Sequence, residues 1–100
     1  MSRTGKILFE PGLLVGTPGC LEAFRQSGES LYDYFMRHRT GDWGELSDGD
    51  KQANDRAVKD GSRILSAYML KSGVKVWVIT KAVNDDGFRE STCFLLPEEY

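Results

Sequence analysis

Arg63-Ile64-Leu65-Ser66-Ala67-Tyr68-Met69-Leu70-Lys71-Ser72-Gly73-Val74-Lys75-Val76-Trp77-Val78-Ile79-Thr80 is the stretch that decides the fold. Its two runs, Ile64 to Leu70 and Val74 to Thr80, are rich in branched and aromatic residues, and Lys71-Ser72-Gly73 between them reads as a hairpin loop. In the second run Val74, Val76 and Val78 fall on one face, with Lys75, Trp77 and Ile79 on the other. Both faces are largely apolar, which predicts a central strand covered on both sides for part of its length. Downstream, Asn84-Asp85-Asp86-Gly87 signals a turn, Phe88 to Leu96 returns as another strand, and Pro97 ends it before the acidic Glu98-Glu99-Tyr100. The last third of the chain is thus a three-stranded meander.

Upstream the period changes to that of helices. Thr17 as N-cap and Pro18 at the first helical position open one helix, with Leu21 and Phe24 on its inner face and Gly28 as its stop. Ser30 caps a second, in which Leu31, Tyr34, Phe35 and His38 share one face and Gly41 stands just past the end. Ser47 caps a third, with Asp48 and Asp50 in its first turn, a narrow stripe of Ala53, Ala57 and Val58, and Gly61 to stop it. Before these helices, Lys6 to Phe9 and Leu13 to Val15 read as two short strands about the turn Pro11-Gly12. Strands and helices are segregated, so the expectation is one α+β domain over residues 1–100. It has an antiparallel sheet of about four to five strands, with two to three helices between the N-terminal strands and the meander.

Composition narrows the class. The 100 residues are 40% hydrophobic and 28% charged, enough apolar surface for one core without metals or disulfides. The net charge of −2 argues against a protein that wraps duplex DNA through general basic charge, while leaving room for a local basic patch. Every apolar run is short and interrupted, so no membrane partner is expected, and a cytoplasmic location is. Cys20 and Cys93 lack chelating spacing and read as reduced, mostly buried thiols. With a single His, no metal site and no cofactor are expected.

Rare residues crowd Arg37-His38-Arg39-Thr40-Gly41-Asp42-Trp43-Gly44, between two helices. His38 as general acid/base, Arg39 as phosphate holder and Asp42 as orienter are the parts of a metal-independent endoribonuclease. The same group, Arg37, His38, Arg39 and Asp42 with Trp43 as anchor, could instead contact a protein or nucleic-acid partner of unknown identity. A third reading is purely structural. His38 closes the apolar stripe, Arg37 and Arg39 cap the helix end, Asp42 makes an Asx-type turn and Trp43 plugs the core. A second surface is the last hairpin, where Thr80, Lys81, Arg89, Ser91 and Thr92 suggest a polar sheet face. There Arg63, Lys75, Lys81 and Arg89 would supply phosphate contacts, and Trp77 and Tyr68 would stack.

Several motifs together resemble a family of small proteins encoded on bacterial plasmids and integrating elements, often called plasmid-related and sometimes labelled type I restriction endonuclease subunit M. They are Thr17-Pro18-Gly19, Arg37-His38 followed by Gly41-Asp42-Trp43-Gly44, Asp50 with Asn54, Ser62 to Ser66, Val76 to Thr80, and Leu95 to Tyr100. The resemblance spans nearly the whole chain and implies an accessory role on a mobile element. It departs at Lys81, where an acidic residue is expected, and in a longer turn from Val83 to Phe88. The methyltransferase label conflicts with the sequence, since such a subunit needs a doubly wound βαβ sheet that this length and element order cannot form. The expectation is a macromolecule-binding accessory protein, with the endoribonuclease and the purely structural roles as alternatives.

Overall fold

The computed structural model describes residues 5–100. One short strand, β1 (Leu13–Gly16), leads into three helices, α1 (Pro18–Ser27), α2 (Leu31–Arg39) and α3 (Asp48–Asp60). Strands β2 (Ile64–Met69), β3 (Lys75–Thr80) and β4 (Ser91–Leu95) follow, and a 3-10 turn covers Pro97–Glu99. The fold is α+β, with three helices and a four-stranded sheet in the order β1-β4-β3-β2.

The helices start and stop for the local reasons visible in the sequence. Thr17, Ser30 and Ser47 each accept a backbone N–H of the first turn, and Gly28 and Gly61 close α1 and α3 in the left-handed conformation. Two expectations about the sheet are corrected. The sheet is mixed rather than antiparallel, because β1 lies parallel to β4, with Val15 opposite Cys93. Lys6 to Phe9 forms no strand. Its backbone is spent elsewhere: Leu8 N–H donates to Arg39 O at 2.9 Å, closing the end of α2, and Phe9 turns inward onto His38 and Trp43. The strand expected from Phe88 begins only at Ser91, because Asn84 N–H and Phe88 O close the preceding turn on itself at 2.9 Å.

Registry sorts the strand residues cleanly into two faces. Ile64, Thr80, Thr92 and Leu14 form one cross-strand row, and Ser66, Val78, Phe94 and Gly16 the next. This inner face carries the core. Cys20, Ala23 and Phe24 from α1 and Tyr34 and Phe35 from α2 pack on Tyr68, Leu70, Val76, Val78 and Phe94. A smaller cluster joins Phe9, Trp43 and Ala57 to Ile64. On the other face, Leu65, Ile79, Cys93 and Val15 make one row and Ala67, Trp77 and Leu95 the next. The core clusters that hold α1, α2 and α3 include none of these residues. The C-terminal 3-10 turn and Tyr100 nevertheless lie against β3 on this side, and Ala67 and Leu95 are buried, so β3 is covered on both sides for part of its length, as its two apolar faces suggested.

The free edge of β2 is closed without another strand. Asn54 of α3 imitates a backbone partner, its Nδ2 donating to Leu65 O at 2.7 Å while its Oδ1 accepts Leu65 N–H at 3.2 Å. One residue pair on, Ala67 N–H donates to Trp43 O and Glu45 N–H to Ala67 O. Gly44 crosses at this point with φ 78°, and a Cβ there would run into Ala67 O.

Arg89 locks the two halves together. Its guanidinium is buried and donates to Ala57 O at 2.9 Å, Ser62 O at 2.7 Å and Lys81 O at 3.0 Å, with Phe9 beneath it. It serves as a remote cap on the carbonyl end of α3. Arg89→Ala is expected to destabilise the domain by about 3 kcal/mol, because one buried and two part-buried carbonyls lose a charged donor. Arg89→Lys should recover only part of that, having no fork to span them. Urea denaturation of the three chains checks it; equal midpoints would refute the capping role.

Candidate functional site

The stretch Arg37–Gly44 folds as the end of α2 followed by a tight turn. Thr40 Oγ1 donates to Met36 O at 2.7 Å and stops the helix. Asp42 Oδ1 then accepts Gly44 N–H at 3.2 Å, the Asx-type turn that was expected. What this turn accomplishes is to push Trp43 inward.

His38 has no exposed surface at all (0%) and Trp43 almost none (2%). The imidazole lies across the inner face of the sheet, with Nδ1 2.6 Å from Ser66 Oγ and Nε2 2.8 Å from Thr80 Oγ1. Thr80 Oγ1 is 2.7 Å from Thr92 Oγ1, whose hydroxyl donates to Pro11 O at 2.8 Å. Proton counting fixes the direction of the chain, since each hydroxyl has one hydrogen. Thr92 spends its own on Pro11, so Thr80 donates to Thr92 and must accept at its oxygen from His38 Nε2–H. Nδ1 is then the acceptor of the Ser66 hydroxyl. The imidazole is neutral, in the Nε2–H tautomer, with both nitrogens satisfied. Burial and the nearby positive charge of Arg89 push its pKa down to about 3.

Arg37 and Asp42 meet on the rim of the same region. Arg37 Nε donates to Asp42 Oδ2 at 2.8 Å, and the guanidinium lies over the rings of Tyr34 and Tyr68. Burial works to raise the Asp42 carboxyl, and the hydrogen bond and charge of Arg37 outweigh it, holding it below the usual carboxylate range. The Tyr68 hydroxyl donates to Asp42 O at 2.6 Å. Arg39 faces elsewhere, over Phe35, and its buried Nε makes no hydrogen bond. Trp43 Nε1–H donates to Asp55 Oδ1 at 3.1 Å.

The predicted site therefore does not assemble. His38 and Asp42 do not meet in an open cleft, and Arg39 joins neither. Two of the expected binding residues, His38 and Trp43, are corrected: neither has surface to offer a partner. General acid–base work on an external substrate likewise needs an imidazole that substrate can reach, and this one is sealed. Arg37 and Arg39 do not cap the end of α2 either; Thr40 and Leu8 do. Of the five residues, only Arg37 lines the surface cleft of about 490 Å³ beside Glu29, Asp33, Tyr34 and Lys71. Of the two acids there, Glu29 is already engaged, accepting the hydroxyls of Ser27 and Tyr34 and the Lys71 N–H.

The expected polar face of the last hairpin is corrected in the same way. Thr80, Thr92, Arg89 and Tyr68 are buried on the inner side. Both thiols are free, as the reading of reduced, mostly buried cysteines has it, Cys20 buried and Cys93 partly so. Burial, with Glu99 next, raises Cys20 to about 12 and lifts Cys93 in the same direction.

What the sequence reasoning missed is the outer face. Its central rows, Leu65-Ile79-Cys93-Val15 and Ala67-Trp77-Leu95, hold no charged side chain. Leu13, Met69 and Tyr100 are exposed around them. Tyr100 packs edge-to-face on Trp77 and accepts a hydrogen bond from Arg63 at 2.8 Å. The signal was present in the alternation Lys75-Trp77-Ile79, but a two-sided apolar strand reads equally well as one buried on both sides. No family model, characterised protein or solved structure matches the chain.

The buried imidazole has a pH signature. Its folded pKa lies below the ordinary unfolded value of about 6.5, so between those values the unfolded chain binds the extra proton. Stability contributed by neutral His38 is complete above about pH 6.5 and is lost as pH falls toward about 3, with a slope approaching 1.4 kcal/mol per pH unit. Denaturation at successive pH values should show this slope in the natural chain and a shallower one in His38→Gln. Nitrogen NMR should find the Nε2–H tautomer, still neutral at pH 5. An imidazole that titrates near pH 6.5 would contradict the sealed geometry.

Proposed function

We propose that the protein is a binding module, a small accessory domain that acts by docking a macromolecular partner rather than by turning over a substrate. The mobile-element setting implied by the sequence resemblance belongs to this reading. The single observation that carries it is the outer face of the sheet, where an apolar row crosses all four strands with Trp77 and Tyr100 beside it. A contiguous apolar surface of this kind on a water-facing sheet marks an interaction site far more often than it marks nothing. Aromatic groups with a polar tip, such as the Trp77–Tyr100 pair, are the residues interfaces favour.

The docking surface is thus moved from the α2 end to the opposite side of the sheet. Arg37 and Asp42 retain a role in fixing Tyr34 and Tyr68, and His38 in aligning the strands that display the face. The ribonuclease alternative has no accessible imidazole to support it.

A photo-cross-linking residue placed at Leu13 or Met69, in cells that make the protein, is expected to give discrete adducts. The same residue at Tyr32, exposed on α2, should give none. Ile79→Arg should suppress the adducts at an unchanged melting temperature. Identical patterns from all three positions, or none from Leu13 and Met69, would defeat the reading.

A further inference from the structure

We infer that the occupant of the outer face is a second copy of the same chain, the two sheets packing face to face with the helices outward. The inference rests on the proposed docking role of this face and names its partner.

Three features of the face favour self-association. Its extent is the first. Leu13 is 68% exposed, Val15 39%, Met69 47% and Tyr100 71%. On side chains of about 150–250 Å² each these leave on the order of 500 Å² of exposed surface, before the half-buried Leu65, Trp77, Ile79 and Cys93 are added. A standard interface needs about 800 Å² from each partner, so the face is of the right order once its rim is counted.

Charge is the second feature. A two-fold contact presses a surface against itself, so any charge at its centre would meet its own image. The two central rows are neutral. Lys75 stands at one end of the strands and Lys81 at the other, the latter 3.6 Å from Glu90. The same pattern disfavours a nucleic-acid strand. Arg63 is turned onto the Tyr100 hydroxyl, Lys81 is neutralised by Glu90, and the whole chain carries −2. Too few cations remain free to release counterions along a phosphate backbone.

Relief is the third feature. On β3 the central outer side chain is the large Trp77, edge-to-face with Tyr100, whereas β4 presents the small Ser91 and Cys93 before Leu95. A self-complementary face must carry both a protrusion and the recess that receives it. A two-fold axis running along the strands between β3 and β4 lays the β3 of each copy over the β4 of the other, its larger side chains against the smaller ones. Sheets stacked this way lie about 10 Å apart with their strands within about 30° of alignment.

Sedimentation equilibrium of the natural chain tests this directly. The expected result is a reversible dimer of twice 11.2 kDa, with a dissociation constant of about micromolar, the weak end of the range for interfaces of standard size. Ile79→Arg should weaken it at least about tenfold, because a charge would be buried without a partner. Leu13→Glu, at a position too exposed to affect folding, should weaken it as well, whereas Tyr32→Glu on the helical side should not. A natural chain that stays monomeric up to about millimolar, or an Ile79→Arg chain that dimerises unchanged while folded, overturns the inference. The photo-adducts keep the two proposals separate. Adducts of twice the chain mass from Leu13 support the second copy. Discrete adducts of another mass only would overturn it and leave the docking role standing. No adduct at all would remove both.

Discussion

The structure depends on where the proton of one imidazole goes. His38 bridges β2 and β3 through Ser66 and Thr80, and the chain runs on through Thr92 to Pro11 O, ahead of β1. Four hydroxyl and imidazole groups lie in a space otherwise lined by Phe9, Trp43, Ile64 and Val78. A buried polar chain is costly when any member is unsatisfied, and this one has a single direction in which all are. A strand slipped by one residue would carry Ser66, Thr80 or Thr92 to the outer face and leave the imidazole without partners. With apolar rows on both faces of this sheet, the hydrophobic pattern alone specifies register weakly, and the polar chain supplies what it lacks.

The same constraint explains why the outer face can be apolar without ambiguity. With Ser66, Thr80 and Thr92 held inward, Leu65, Ile79 and Cys93 have no choice but to face out. The sheet edges are managed separately. The β2 edge is closed by Asn54 and by the backbone around Gly44, and β1 is only four residues long between Pro11 and Pro18, which limits unwanted strand pairing. Broad-face contact is thus left as the main route by which this sheet can meet another molecule.

Much of the fold was legible because its signals are local. Thr17, Ser30 and Ser47 as caps and Gly28 and Gly61 as stops act within a few residues, so the sequence reveals them. Three of the four strands were marked by branched residues for the same reason. The direction of β1 was not legible, because its partner β4 lies beyond three helices and two strands, and no local pattern records that pairing. Lys6 to Phe9 misled because an apolar run can serve as a plug as readily as a strand. In the candidate site, the inward position of His38 on the stripe of Tyr34 and Phe35 was readable from helical spacing. That its two nitrogens would be consumed by hydroxyls 28 and 42 residues away was not. Asn54 shows the same limit: a polar residue inside a helix looks solvent-facing until the strand beside it is known.

The parallel pairing of β1 with β4 has a consequence for biosynthesis. The Thr17 hydroxyl donates to Glu99, and β1 has its backbone partners among residues 90–94. The first strand and the opening turn of α1 therefore emerge from the ribosome long before anything exists to hold them. The helices can form as they appear, but the sheet can close only when the last strand has left the exit tunnel. Until then Leu13, Leu14 and Val15 are exposed with nothing to cover them. Folding of the sheet therefore waits for β4 to be made, rather than proceeding strand by strand along the chain.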